Sequence, residues 1–293
     1  MTDTAPRRLE VTAILDPRPR YAGTSHEDAT ARAMGYPAAL VPGAFVYGHV
    51  TRLALAVWGE DWLSRGRARV RFRKPVFAGD RLVVERGALT EDNGPEAPVT
   101  VVAEASGAVV LDGAIGLTAT LPVPPAGLSV RPPARSRRIL APGRVPLGQP
   151  LGSAVTVLTP ELVAESLHDF HEESPVYEAR GLIHSGMLLR QTMGDTLGNL
   201  TLPMPLIFAA AEVQNLAPAP VGRAYATASR IVSAWERKGK HYFDSEEWLL
   251  CDGRPVARHL RTNLYAVDPP PDAAPDAAPD GPSDAPVPRQ DTP

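Results

Sequence analysis

Cysteine is almost missing from this chain. Its 293 residues include one, Cys251, which excludes a disulfide framework and a cysteine-ligated zinc site and makes a reducing, cytoplasmic compartment the expectation. An excess of positive charge is missing too. Lys and Arg number 30 against 33 Asp and Glu, for a formal net charge of −3. The short basic cluster at residues 135–138 reads as a solvated loop, so nucleic acid is not an expected partner. The first ten residues are polar and charged and carry no apolar signal core. Nor is any apolar run long enough to cross a bilayer, and Leu53-Ala-Leu-Ala-Val-Trp58 reads as the inner part of a globular helix. Neither secretion nor membrane insertion is expected.

What is present is a repeat. Ala39-Leu-Val-Pro-Gly-Ala-Phe-Val-Tyr-Gly48 is a turn running into an apolar helical stretch, and Gly181-Leu-Ile-His-Ser-Gly-Met-Leu-Leu-Arg190 is another. A proline-containing turn with glycine follows each, at Gly79 and at Gly222. Gly43 precedes Gly79 by 36 residues, and Gly186 precedes Gly222 by the same 36. Two landmarks at one interval argue for a duplicated unit. The period is too long for a solenoid, so each copy should be a small domain. With 44% hydrophobic and 22% charged residues, the chain has the composition of a soluble globular protein with room for two such cores.

Periodicity predicts the same order of elements in both copies. In residues 1–121 these are a strand at 9–15, a short helix at 26–34 and a long helix at 45–58. Strands at 68–76, 81–86, 99–105 and 108–121 follow. Residues 122–150, rich in Pro, Gly and Arg, read as a connector packed along the surface in extended form. In residues 151–267 a strand at 154–158 precedes a helix at 160–170, with Thr159 as its cap and Pro160 at its first position. A second long helix at 187–197 leads to strands at 206–216, 224–235, 241–251 and 256–267. A helix followed by antiparallel strands is an α+β layer pattern. The tail at 268–293, built on Pro, Asp and Ala, is expected to be disordered.

The residues Leu40-Val-Pro-Gly43 before the long helix and Arg71-Phe-Arg-Lys-Pro-Val-Phe-Ala-Gly-Asp80 after it resemble the hotdog fold. More narrowly they resemble its MaoC-like dehydratase and (R)-specific enoyl-CoA hydratase branch. Two copies in one chain resemble the double-hotdog arrangement. The resemblance implies a hydro-lyase acting on 3-hydroxyacyl or enoyl thioesters of CoA or an acyl-carrier protein, with no metal and no cofactor, and a homodimer as one possible assembly. The motif of that branch is Asp-x-Asn-Pro-(Leu/Ile)-His. In the first copy His26, followed by Asp28, matches the histidine, while Tyr21 stands at the aspartate position and Gly23 at the asparagine position. In the second copy Glu172 replaces Asp, Ser174 replaces Asn, Pro175 is kept and Tyr177 replaces His. The loop from Tyr177 to Gly186 is about half the usual length. Neither copy carries the whole motif, so at most one working site is expected.

Such chemistry needs a base, an acid and a donor for the thioester oxygen. A His beside a carboxylate covers the first two, each worth roughly 10²–10⁴-fold. Backbone N–H groups at a helix start supply the third. The candidates are therefore His26 as acid/base, Asp28 or Glu172 as its carboxylate, and Gly43 as the oxyanion donor. Tyr21, Tyr177, His184 and Gly186 are candidates for substrate binding. Each has a structural alternative: His26 and Asp28 as the start of a helix, Gly43 and Gly186 as glycines of tight packing, His184 as a packing residue. His168, His171 and Glu172 form a titratable cluster, with metal binding weighed and set aside. A tyrosine at the histidine position cannot be a base near neutral pH, because its ordinary pKa is about 10. Two other functions stay open. One is a non-catalytic acyl-thioester-binding module. The other is a thioesterase, disfavoured because residues 44–48 and 187–191 contain no Asp or Glu.

Overall fold

The computed structural model describes residues 4–90 and 95–269, and most of the expected tail lies outside them. The N-terminal unit consists of β1 (Arg8–Thr12), α1 (Asp28–Ala33), α2 (Gly43–Trp58), α3 (Glu60–Arg65), β2 (Gly66–Phe72), β3 (Arg81–Arg86), β4 (Glu96–Ala103) and β5 (Ala108–Leu117). β6 (Arg138–Ile139) and β7 (Pro150–Leu151) lie in the connector. The C-terminal unit consists of β8 (Thr156–Val157), α4 (Pro160–Asp169), α5 (Val176–Arg180), α6 (Ser185–Leu197), β9 (Leu200–Thr201), β10 (Ile207–Asn215), β11 (Ala224–Arg237), β12 (Lys240–Cys251) and β13 (Arg254–Val267). Thr159 caps α4 as expected, accepting from the Leu162 N–H. The short helices α3 and α5 were not legible. Gly59, with φ of +55°, breaks the long helix before α3, and α5 fills the shortened loop ahead of α6.

Among the described residues, one antiparallel sheet runs β1-β3-β4-β5-β2-β10-β13-β12-β11-β7, with β8 also on β11. The two units join at β2 and β10, where Ala68 faces Val213, Arg69 faces Glu212 and Val70 faces Ala211. Gly43 and Gly186 are 143 residues apart, as are Gly79 and Gly222, and Arg69 and Glu212. Ala68 therefore faces the repeat counterpart of Val70 and Val70 that of Ala68, while Arg69 faces its own. An approximate two-fold axis passes through that pair. Gly79 and Gly222, with φ of +91° and +76°, make the turns into β3 and β11. An L side chain rarely adopts that conformation.

The two interiors differ. α2 buries Phe45, Val46, Val50, Leu53 and Ala54 under the N-terminal strands, an apolar packing. Under α6 the strands β12 and β13 instead present Ser245, Glu247, His259, Arg261 and Asn263, all at or near zero exposure. Arg261 Nε donates to both Glu247 oxygens at 3.0 and 2.9 Å, and its Nη2 makes a shorter bond to Oε1. Arg261 Nη1 donates to Asn263 Oδ1 at 2.9 Å, and Ser245 Oγ donates to Glu247 at 3.0 Å. The connector covers the C-terminal sheet from outside, with Leu128 and Val130 packed on Ala228, Trp248 and Leu250.

Removing one member of a buried pair leaves an uncompensated charge, which costs about 3–5 kcal/mol. Glu247→Ala should lose that much in urea unfolding. A double variant with apolar residues at 247 and 261 should recover most of it. A loss under about 1 kcal/mol in Glu247→Ala would show that the pair does not hold the interior.

Candidate active site

α2 and α6 start beside one another, and Phe170 is wedged between them. A Cβ on Gly48 would lie 2.5 Å from Phe170 Cδ1. A Cβ on Gly186 would lie 3.1 Å from Phe170 Cζ and 3.2 Å from the Ala44 carbonyl. The Phe170 ring stacks on His184 at 4.5 Å and meets Phe45 edge-on at 5.6 Å. Tyr47 and Ser185 hydroxyls approach to 3.3 Å across the crossing. At Gly43 a Cβ would lie 2.9 Å from Phe208 and 3.1 Å from Phe72. Tight packing thus accounts for both helix-start glycines without a ligand.

In the N-terminal unit, residues 25–28 zip onto the segment leading into α2. The Leu40 N–H donates to the Ser25 carbonyl at 2.9 Å. His26 Nδ1 lies 2.7 Å from the Leu40 carbonyl, and the Ala39 N–H donates to Asp28 Oδ1 at 2.7 Å. A carbonyl only accepts, so Nδ1 carries the proton and Nε2 presents a lone pair. Nε2 has no hydrogen-bond partner among the described residues. Burial of the ring lowers the His26 pKa, more than the Leu40 bond raises it. Tyr21 meets His26 edge-on at 5.4 Å, and its buried hydroxyl has no partner among the described residues. Asp28 is exposed and pairs with Arg32 at 3.5 Å. The structure therefore places Asp28 as a loop clamp, apart from the His26 ring. This loop is tied to the other unit through the buried Asp169, which holds Arg18 at 2.5 Å and Arg190 at 3.0 Å.

In the C-terminal unit Glu172, Tyr177 and His184 come together. His184 is fully buried, and its Nδ1 accepts from the Gly186 N–H at 3.0 Å. Nε2 then carries the proton, 2.8 Å from Thr51 Oγ1 and 3.5 Å from Glu172 Oε2. The Thr51 hydroxyl in turn donates to the Gly48 carbonyl at 2.8 Å. Burial pushes the Glu172 pKa up, but His184, the Ser174 N–H and Arg52 outweigh it and hold the carboxyl below its ordinary value. Tyr177 is raised well above the usual phenol, first by burial and then by the Glu172 charge. Among the described residues its hydroxyl and Glu172 Oε2 have no hydrogen-bond partner. His168 lies apart, exposed and 3.3 Å from Asp16. No contact joins His26 to Glu172 among the described residues, nor is any set of three His, Cys, Asp or Glu placed to hold a metal ion.

Sequence reasoning missed Thr51 and His49. His49 is fully buried on α2, with Nδ1 on the Phe170 carbonyl at 3.0 Å. The one legible sign was a histidine and a threonine on an otherwise apolar helix. The two helix starts also differ in a way no motif revealed. His184 caps α6, whereas α2 begins after Pro42 with no side-chain cap. The Phe45 N–H turns back to the Pro42 carbonyl at 2.8 Å, and no side chain among the described residues caps the Gly43 and Ala44 N–H groups before it.

No family model and no curated relative matches the chain. Solved structures do. A protein from Chloroflexus aurantiacus J-10-fl, described provisionally as a MaoC domain protein dehydratase, aligns at TM-score 0.58 and 13% identity over 92% of this chain and 99% of its own. A MaoC-like dehydratase aligns at 0.58 and 16%, over 89% and 98%. A conserved hypothetical protein from Mycobacterium tuberculosis, described as having a double hotdog fold, aligns at 0.54 and 17%, over 89% and 94%. At these identities the likeness establishes the fold, and the chain is a double hotdog.

Burial drives the pKa of His49 down to about 3 and that of His259 down to about 4, from an ordinary 6.5. Between those values the unfolded chain binds protons that the folded chain does not. Stability contributed by these two groups is therefore lost as pH falls from about 6.5 toward 4, by up to about 1.4 kcal/mol per pH unit for each. Urea unfolding across that range should show a shallower pH slope in His49→Gln than in the natural protein. Equal slopes would mean that His49 is not held neutral.

Proposed function

We propose that this chain is a MaoC-like hydro-lyase acting on enoyl or 3-hydroxyacyl thioesters of CoA or an acyl-carrier protein, with its working site in the N-terminal unit. The observation that carries this reading is His26, docked on Leu40 with Nε2 free, at the approach to the uncapped start of α2. In the C-terminal unit the corresponding N–H is already taken by His184.

In the hydration direction, water adds to the β-carbon and gives a proton to His26 Nε2. The electron pair of the double bond moves toward the thioester oxygen. That developing charge meets the N–H groups of Gly43 and Ala44, reinforced by the helix dipole. The imidazolium then returns the proton to the α-carbon, which regenerates the neutral base. The Tyr21 hydroxyl, buried and unpartnered beside His26, holds the attacking water by a hydrogen bond where the motif has a carboxylate. Neither α2 nor α6 has an acidic residue in its first turn, which speaks against a thioesterase built on a helix carboxylate. One observation favours a second reading, a binding module without turnover: Asp28 is engaged by the Ala39 N–H, and no carboxylate orients His26.

Purified protein should hydrate enoyl-CoA, followed by loss of the conjugated absorbance. His26→Ala should lower kcat/KM by about 10²–10⁴-fold, whereas Glu172→Gln should change it by no more than about threefold. An unchanged rate in His26→Ala removes the assignment. Thioester binding without any turnover decides for the module.

A further inference from the structure

Phe72 closes β2 and Phe208 is the second residue of β10, so one ring comes from each unit. They meet across the seam with ring centroids 4.6 Å apart and tilted 41°. Both are half-buried. A Cβ on Gly43 would touch each of them, so the two rings lie directly against the first residue of α2. A thioester whose oxygen reaches the α2 donors must set its acyl group against this pair.

On one side the rings pack against the apolar core, and past Phe208 the interior turns polar. The Arg261 guanidinium lies 5.9 Å from the centre of the Phe208 ring and is fully buried in its pair with Glu247. Ser245 and Asn263 complete that polar interior. An alkyl chain pushed past Phe208 would face an ion pair that offers it no apolar partner, at the expense of the solvation the pair gets from its polar neighbours. The helix side is shut as well, because Phe170 fills the space above Gly48.

The architecture does not itself require the two rings. At the 143-residue offset the counterpart of Phe72 is Asn215, which donates to the Trp62 carbonyl at 2.8 Å, and the counterpart of Phe208 is Arg65. The aromatic pair is thus confined to the helix start that lacks a cap. We propose that Phe72 and Phe208 form the floor of the acyl site and restrict it to short acyl chains, an inference that rests on the N-terminal site carrying the thioester.

The test is a chain-length series on the full protein: CoA, crotonyl-CoA, octenoyl-CoA and dodecenoyl-CoA, titrated calorimetrically and assayed for turnover. The natural protein should bind crotonyl-CoA at least about tenfold more tightly than dodecenoyl-CoA, with kcat/KM in the same order. Phe208→Leu and Phe72→Leu should narrow that ratio while leaving the affinity for CoA itself unchanged. Melting curves confirm that both variants fold, and the series on the natural protein stands without them. Equal affinity at all lengths, or an unchanged ratio in both folded variants, overturns the floor. Length-selective binding without turnover supports the floor and removes the hydro-lyase. Turnover that is equal at all lengths removes the floor alone, and failure to bind any thioester removes both.

Discussion

The insertion of Phe170 into the crossing of α2 and α6 is the contact on which the other features depend. Its ring fills the space that Gly48 and Gly186 leave by having no side chain, and it stacks on His184. The neighbouring residues are committed by that placement. Asp169 on one side holds Arg18 and Arg190, and with them the loop that carries Tyr21 and His26. Glu172 on the other side is brought to within 3.5 Å of His184. One wedge therefore sets the position of both candidate sites, and a methyl group at Gly48 would collide with it. Overpacking of this kind in a tight core costs about 1–3 kcal/mol.

The two copies have diverged in opposite senses. The N-terminal unit kept a histidine with a free nitrogen and an uncapped helix, around an apolar core. The C-terminal unit kept a carboxylate, satisfied its helix start with its own His184, and built a charged interior on Glu247 and Arg261. Capping an orphan N–H stabilises a helix, but it also removes the donor that a reaction would use. The contact that satisfies the start of α6 thus also occupies the Gly186 N–H.

Much of the fold was legible. The equal spacing from Gly43 to Gly79 and from Gly186 to Gly222 reflects real constraints: two turns with positive φ, and two helix starts that leave no room for a Cβ. The long helices and the main strands were readable because apolar periodicity follows burial. The short helix α3 was not, because it depends on one backbone break at Gly59. The site was less legible. His26 and Asp28, two residues apart, point to different tasks, and His184 looked like a packing residue when it is also a helix cap.

The duplication, the order of the main elements, the α+β layers and the candidate residues were present in the chain as local pattern. Periodicity, glycine placement and turn chemistry act over a few residues, so a linear string records them. Which helix start stays open, which histidine nitrogen is free and where Asp28 points were decided by contacts between segments far apart in sequence, such as His184 with Thr51 and Phe208 with Gly43. Hydrogen-bond direction and close packing are properties of those meetings. Only the folded molecule brings their partners within reach.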